Sequence, residues 1–288
     1  MRKFEEMRQL LDQVKSNDYA VPAGVDLDDA IADMLRFVGD IDSDLRENVY
    51  STFDTWSDKG MLSPEQMRHI LNIAMDGQHL FLGIGESGTD SVFTRSFTSL
   101  LISVAFCMQD EHPFMTSAEI QAVKEAVLRY VRQEQDYRGY VKGKGWAHAV
   151  AHIADALANL ACIDKATDVD SEYTIGRDGM LEILEAIKIL AINSEKVYDT
   201  AEDERLAVAV MYVFGQEVLS EDDMRGWLAS LGEAIERKAM PADYYRRINQ
   251  KHFMRSLYFR MLAVSELEGL SKFLLEILKN LSSLYREA

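Results

Sequence analysis

Apolar residues in this chain recur at intervals of three and four, and little interrupts them: 288 residues carry only four prolines and sixteen glycines. Spacing of three and four lays an apolar stripe along one face of a helix, whereas a half-buried strand needs strict alternation. The chain therefore reads as all-α. Helix starts are written into it. Ser63-Pro64-Glu65-Gln66 sets a capping serine before a proline at the first helical position, with glutamine three residues after the cap. Thr116 or Ser117 ahead of Ala118-Glu119, and Ser220 ahead of three acidic residues, are similar. The pattern predicts helices over about 3–16, 27–38, 43–57, 64–76, 90–109, 117–134, 146–163, 177–193, 202–215, 221–238, 243–264 and 267–286. About a dozen helices with short connections suggest stacked antiparallel pairs, a HEAT/armadillo-like α-solenoid forming a single domain over 1–288. No repeat of fixed period is visible, so a compact irregular helical domain is the alternative.

The most constrained stretch is Asp136–Ile163, DYRGYVKGKGWAHAVAHIADALANLACI. Glycines 139, 143 and 145 suit a tight loop, and from Trp146 the composition is that of an enclosed helix in which, with histidine counted as neutral, Asp155 is the only charged side chain. At ~100° per residue, His148, His152, Asp155 and Asn159 share one stripe. A buried polar group without a partner costs several kcal/mol, roughly, so this stripe must face either an internal hydrogen-bond network or a wet groove. Trp146 either packs the helix start or turns its indole N–H towards a ligand. His148, His152 and Asp155 also have a spacing at which one helix presents metal ligands. Arg138, Lys142 and Lys144 crowd the start of the helix, where an anion is favoured, or else form local ion pairs. Arg95 is the lone charge from Ser91 to Met108 and requires either a carboxylate or a bound anion. These residues place the candidate site at about 90–160.

A net charge of −17 works against general affinity for nucleic acid and anionic membranes. The longest apolar run, Leu100–Met108, is too short for a spanning helix. The N-terminus reads as a charged amphipathic helix rather than a signal peptide, which makes the cytoplasm the expected location. Cys107 and Cys162 stand in apolar helical settings and are expected to be reduced and buried. Gly83-Ile84-Gly85-Glu86-Ser87-Gly88 matches a dinucleotide-binding pattern letter for letter, but its surroundings are helical and acidic, so it reads as an inter-helix loop with Thr89 or Asp90 capping the next helix. Asp40-Ile41-Asp42-Ser43-Asp44 lacks the later positions of a calcium loop, as does Asp168-Val169-Asp170, and both read as capping turns. The one basic block, Tyr244 to Arg260, interleaves cations with aromatics; pairing with acidic neighbouring helices is the favoured reading, nucleic-acid contact the other.

Three groups of residues carry a resemblance. Asp90-Ser91-Val92-Phe93-Thr94-Arg95-Ser96-Phe97, then Glu134–Tyr140 with Lys144-Gly145-Trp146-Ala147-His148 through His152 and Asp155, then Phe253–Tyr258, resemble the bacterial family catalogued as domain of unknown function 2785. The resemblance implies a helical-repeat fold and that these polar positions are shared within the family; it implies no activity, substrate or cofactor.

Two functions are expected from the residues. The first is a cytoplasmic binding or scaffold module whose concave groove holds a peptide, a protein partner or a small anionic ligand over Arg95, Arg138, Lys144, Trp146, His148, His152, Asp155 and Asn159, with no cofactor. The second is a hydrolase-like enzyme in which His148 and His152 bind a divalent metal or act as acid and base, with Asp155 orienting an imidazole.

Overall fold

The computed structural model describes residues 1–169, 173–236 and 238–281. Among these, twelve α-helices account for almost all regular structure: α1 Phe4–Ser16, α2 Leu27–Leu35, α3 Ser43–Asp58, α4 Pro64–Ala74, α5 Ser91–Glu111, α6 Ser117–Gln133, α7 Ala149–Ala161, α8 Gly176–Asn193, α9 Glu202–Gly215, α10 Glu221–Leu231, α11 Ala242–Met261 and α12 Glu268–Leu281. One antiparallel hairpin, β1 Tyr140–Val141 and β2 Gly145–Trp146, stands between α6 and α7. The all-α reading is right. The expected extension of the last helix to 286, and Asp170 of the second acidic turn, lie outside the described residues.

The three helix starts singled out in the sequence are capped as the residues predict. Ser63 and Gln66 form a reciprocal capping box, as do Thr116 with Glu119 and Ser220 with Asp223. Asp42 accepts the Leu45 N–H to start α3, so the Asp40–Asp44 segment is a capping turn. Asp90 stands at the start of α5 but makes no side-chain cap, because its carboxylate is engaged by Lys144.

The chain divides into two compact units, residues 1–156 with 163–173, and residues 157–162 with 174–288. In the first, α5 is the central helix, packed on α3 and α4, while α1 lies on α3 and α2 on α4. Helix α5 is long and apolar enough, by length and composition, to cross a membrane; here it is the mostly buried core helix of its unit. The approach of the 36–40 turn to α5 is so close that a Cβ on Gly39 would stand 2.1 Å from the Thr94 Cα. In the second unit α11 packs on α8, α9 and α12, and α10 on α8 and α12. Its core includes Trp227, whose indole N–H donates to the Leu184 carbonyl at 3.0 Å. Cys162 is half-buried; Cys107, expected inside, is exposed, because it points off the one outward-facing strip of α5.

Candidate functional site

The sequence suggests a helix beginning at Trp146, yet the helix begins three residues later. Gly143 and Gly145, at φ +80° and +79°, turn the chain back on itself and pair Tyr140 with Trp146. His148 then adopts φ 49°, a left-handed conformation that costs a side-chain-bearing residue ~1–2 kcal/mol. Three contacts hold it there. Its N–H and that of Ala147 both donate to the Gly139 carbonyl, at 3.1 and 2.8 Å, its carbonyl accepts the first helical bond from His152, and its ring stacks on Trp146 at 4.1 Å, 3° from parallel.

The hairpin is fastened from below by Arg46 of α3, which is fully buried. Its Nη2 donates to the carbonyls of Lys144 and Trp146, at 2.6 and 2.8 Å, and its Nη1 to those of Asp40 and Ile41. The guanidinium lies over the rings of Phe93 and Phe97, at 4.4 and 5.0 Å. Burial lowers its pKa, offset in part by the charges of Glu47, Asp40 and Asp42. A guanidinium keeps its proton even so, which makes it a permanent four-carbonyl clamp. From it a continuous run of rings reaches the surface: Phe97 meets His152 edge-on at 5.0 Å, His152 meets His148 at 5.4 Å, His148 stacks on Trp146, and Trp146 meets Tyr140 edge-on at 4.9 Å. The last two are exposed, Trp146 by 37% and Tyr140 by 57%.

Beside this ladder lies a lattice of ion pairs. Arg95 and Glu134, both buried, form a two-point bridge at 2.6 and 2.8 Å. Arg95 Nη1 also donates to the Leu82 carbonyl and to Ser91 Oγ, and Glu134 accepts the N–H groups of Gln135 and Asp136. Burial pulls the Arg95 pKa down, but the hydrogen bond and charge of Glu134 outweigh it and leave the pKa raised. Buried Asp136 accepts the Gly88 N–H at 2.9 Å and takes Arg138 in two-point fashion. Lys144 bridges both oxygens of Asp90, at 2.6 and 2.7 Å. The glycine-rich 83–88 segment is thus wrapped around Arg95 and Asp136, and Arg95, Arg138 and Lys144, three of the cations expected to favour an anion, each meet a carboxylate of the chain.

Below the ladder, Ser96 Oγ hydrogen-bonds both the Ala147 carbonyl and His152 Nδ1, the latter at 3.1 Å. A carbonyl only accepts, so the single hydroxyl proton points to Ala147 and His152 Nδ1 must be the donor to Ser96. That proton order is the reverse of the one that activates a serine nucleophile. Among the described residues no group of three or more His, Cys, Asp or Glu side chains is arranged to hold a metal ion.

A family model described as "Protein of unknown function (DUF2785)" matches residues 80–259. The chain belongs to this family. No curated protein and no solved structure matches it. The matched segment runs from Leu80 to Phe259 and contains all eight expected site residues, both strands of the hairpin and the ion-pair lattice. Arg46, which clamps the hairpin, lies outside it.

In this member of the DUF2785 family the expected residues separate into groups. Trp146, His148 and His152 come together in the ring ladder. Arg95, Arg138 and Lys144 belong to the ion-pair lattice. Asp155 and Asn159 continue the stripe as half-buried positions of α7, Asp155 in the first unit and Asn159 in the second. Sequence reasoning missed Arg46, Ser96 and Tyr140. For Arg46 a signal existed: it follows Leu45 and precedes Val49 by three positions, a cation on the apolar stripe of α3, the feature that drew attention to Arg95.

Proposed function

We propose that this chain is a cytoplasmic binding module rather than an enzyme, and that its contact surface is the exposed Tyr140–Trp146 pair on the hairpin. The observation that carries the reading is the aromatic ladder: two large rings stand in solvent, fixed from behind by stacking on His148 and by the Arg46 clamp. Rigid aromatic anchors lose little conformational entropy on binding and are the side chains that dominate protein–protein affinity. With Arg95, Arg138 and Lys144 already paired internally, a small anion would have to displace a carboxylate, so the site favours a peptide or protein partner. We infer further that the helices stack in solenoid fashion within each unit. In support, several helices two apart in sequence pack together: α1 with α3, α2 with α4 and α3 with α5 in one unit, α8 with α10, α9 with α11 and α10 with α12 in the other.

The hydrolase-like alternative rests on the two neighbouring imidazoles of His148 and His152, with Asp155 one turn on. The proton order at Ser96 weighs against a serine nucleophile beside these imidazoles.

The test is peptide selection from a random phage-displayed library on the full chain, repeated with a Tyr140→Ala/Trp146→Ala variant. Enriched peptides that lose at least about ten-fold in affinity on the variant support the reading. Peptides that bind both proteins equally, or no enrichment over an unrelated acidic protein, would sink it.

A further inference from the structure

The basic block of α11 divides in two. Arg246 is bridged to Asp243 and Glu195, and Arg260 to Glu204. Arg247, Lys251 and Arg255 have no such bridge among the described residues, and the nearby Asp203 is taken by Ser256. At ~100° per residue, Tyr244, Arg247, Lys251, Arg255, Tyr258 and Leu262 share a sector of about 80°. Successive cations are ~6 Å apart along the axis. They feel one another: burial first, then the charges of Arg247 and Arg255, lowers the Lys251 pKa. Tyr244 is exposed by 52%, Leu262 by 54%, and Phe259, bordering the stripe, by 68%.

Like charges repelling on one helix face destabilise the isolated fold, and a protein with a net charge of −17 has carboxylates to spare for neutralising them. That these three cations have no ion-pair partner among the described residues while their neighbours are bridged leaves this face with positive charge that an acidic surface would complement. We propose that this face of α11 docks an acidic amphipathic helix of a protein partner, with carboxylates at four-residue spacing along Arg247, Lys251 and Arg255 and apolar side chains over Phe259 and Leu262. A helix repeats its charges at the same ~6 Å pitch, so the two rows come into register. Single-stranded nucleic acid is the lesser fit: three cations neutralise few phosphates, and the whole-chain charge repels a polyanion. The inference is independent of the hairpin surface.

The experiment measures fluorescence anisotropy of the full chain with three labelled probes: a helical peptide of about 20 residues carrying Glu at i, i+4 and i+8 flanked by Leu and Phe, a scrambled peptide of the same composition, and a thymidine 20-mer. The expected result is that the patterned peptide binds at least about ten-fold tighter than the scrambled one. Arg247→Gln/Lys251→Gln/Arg255→Gln and Phe259→Ser/Leu262→Ser should each remove most of that advantage. Equal affinity for both peptides, tighter binding of the oligonucleotide, or binding unchanged in both variants would overturn the proposal. A second measurement stands apart from the choice of probe. Replacing cations that repel leaves the Tm of the Gln triple variant unchanged or raises it, whereas a fall of several degrees would show that the stripe is needed internally and would overturn the docking role.

Discussion

Arg46 donates to the carbonyl oxygen of Trp146 at 2.8 Å, across 100 residues of sequence. The same guanidinium lies against Phe97, from which rings lead back to Trp146. The hairpin is therefore held twice, by its backbone and through its side chains, and Tyr140 and Trp146 are presented on a rigid support.

Replacing Arg46 by Met keeps much of its packing but removes four hydrogen bonds to carbonyls. The expected loss is about 2–4 kcal/mol in chemical denaturation. Trypsin should cut after Lys142 or Lys144 in the variant under conditions that leave the parent intact. Resistance equal to the parent's would show that the clamp is dispensable.

The Arg95–Glu134 pair gives a different signature, because each partner is buried against the other. Arg95→Met alone should cost about 3–5 kcal/mol by stranding a carboxylate. The Arg95→Met/Glu134→Gln double variant should be less destabilised than the two single losses summed, with a coupling of at least about 1 kcal/mol in a double-mutant cycle. Additive losses would contradict a direct pair.

Ser96→Ala removes the hydroxyl between the Ala147 carbonyl and His152, and about 1–3 kcal/mol of stability should go with it. Because the serine proton points away from the imidazole, a fluorophosphonate probe should leave Ser96 unlabelled. Stoichiometric labelling lost in Ser96→Ala would contradict this proton order and show a nucleophilic serine.

Gly39 and Gly145 mark backbone that no side chain can share. A Cβ at Gly39 meets the Thr94 main chain, and one at Gly145, where φ is +79°, stands 2.7 Å from Ser43 Cβ. Gly39→Ala should destabilise by more than about 3 kcal/mol, since backbone must move, and Gly145→Ala by about 1–3 kcal/mol. Melting curves indistinguishable from the parent's would mean that these elements sit farther apart.

Cys107 is exposed, yet its thiol pKa is pushed up to about 11 by burial of the group itself, then by Asp54, Asp58, Glu111 and Asp110. A raised pKa keeps the sulfur protonated at neutral pH. In a Cys162→Ala background, alkylation by iodoacetamide at pH 8 should run about two orders of magnitude slower than for an ordinary thiol and climb about ten-fold per pH unit above it. A plateau by pH 9 would show that the carboxylates exert no such hold.

Periodicity, caps and family were legible in the residues themselves. Ser63, Thr116 and Ser220 start helices because a cap needs only partners within three residues. The Trp146–His152 segment was recognisable as one whose polar groups had to be matched, since polar side chains on an apolar helix must be answered by something. Its answer was not legible. A carboxylate of the chain and a bound anion satisfy Arg95 equally well on paper, and nothing local distinguishes them.

What the sequence by itself determined is the class of fold, the helix starts that carry a local cap and the list of polar residues that had to be matched, all consequences of interactions within about four residues. Tertiary structure alone decided the matches: Glu134 for Arg95, 39 residues away, and the Lys144 and Trp146 carbonyls for Arg46, 98 and 100 residues away. Burial requires that each polar group find a partner but is indifferent to which, and only the packing of helices distant in sequence makes that choice.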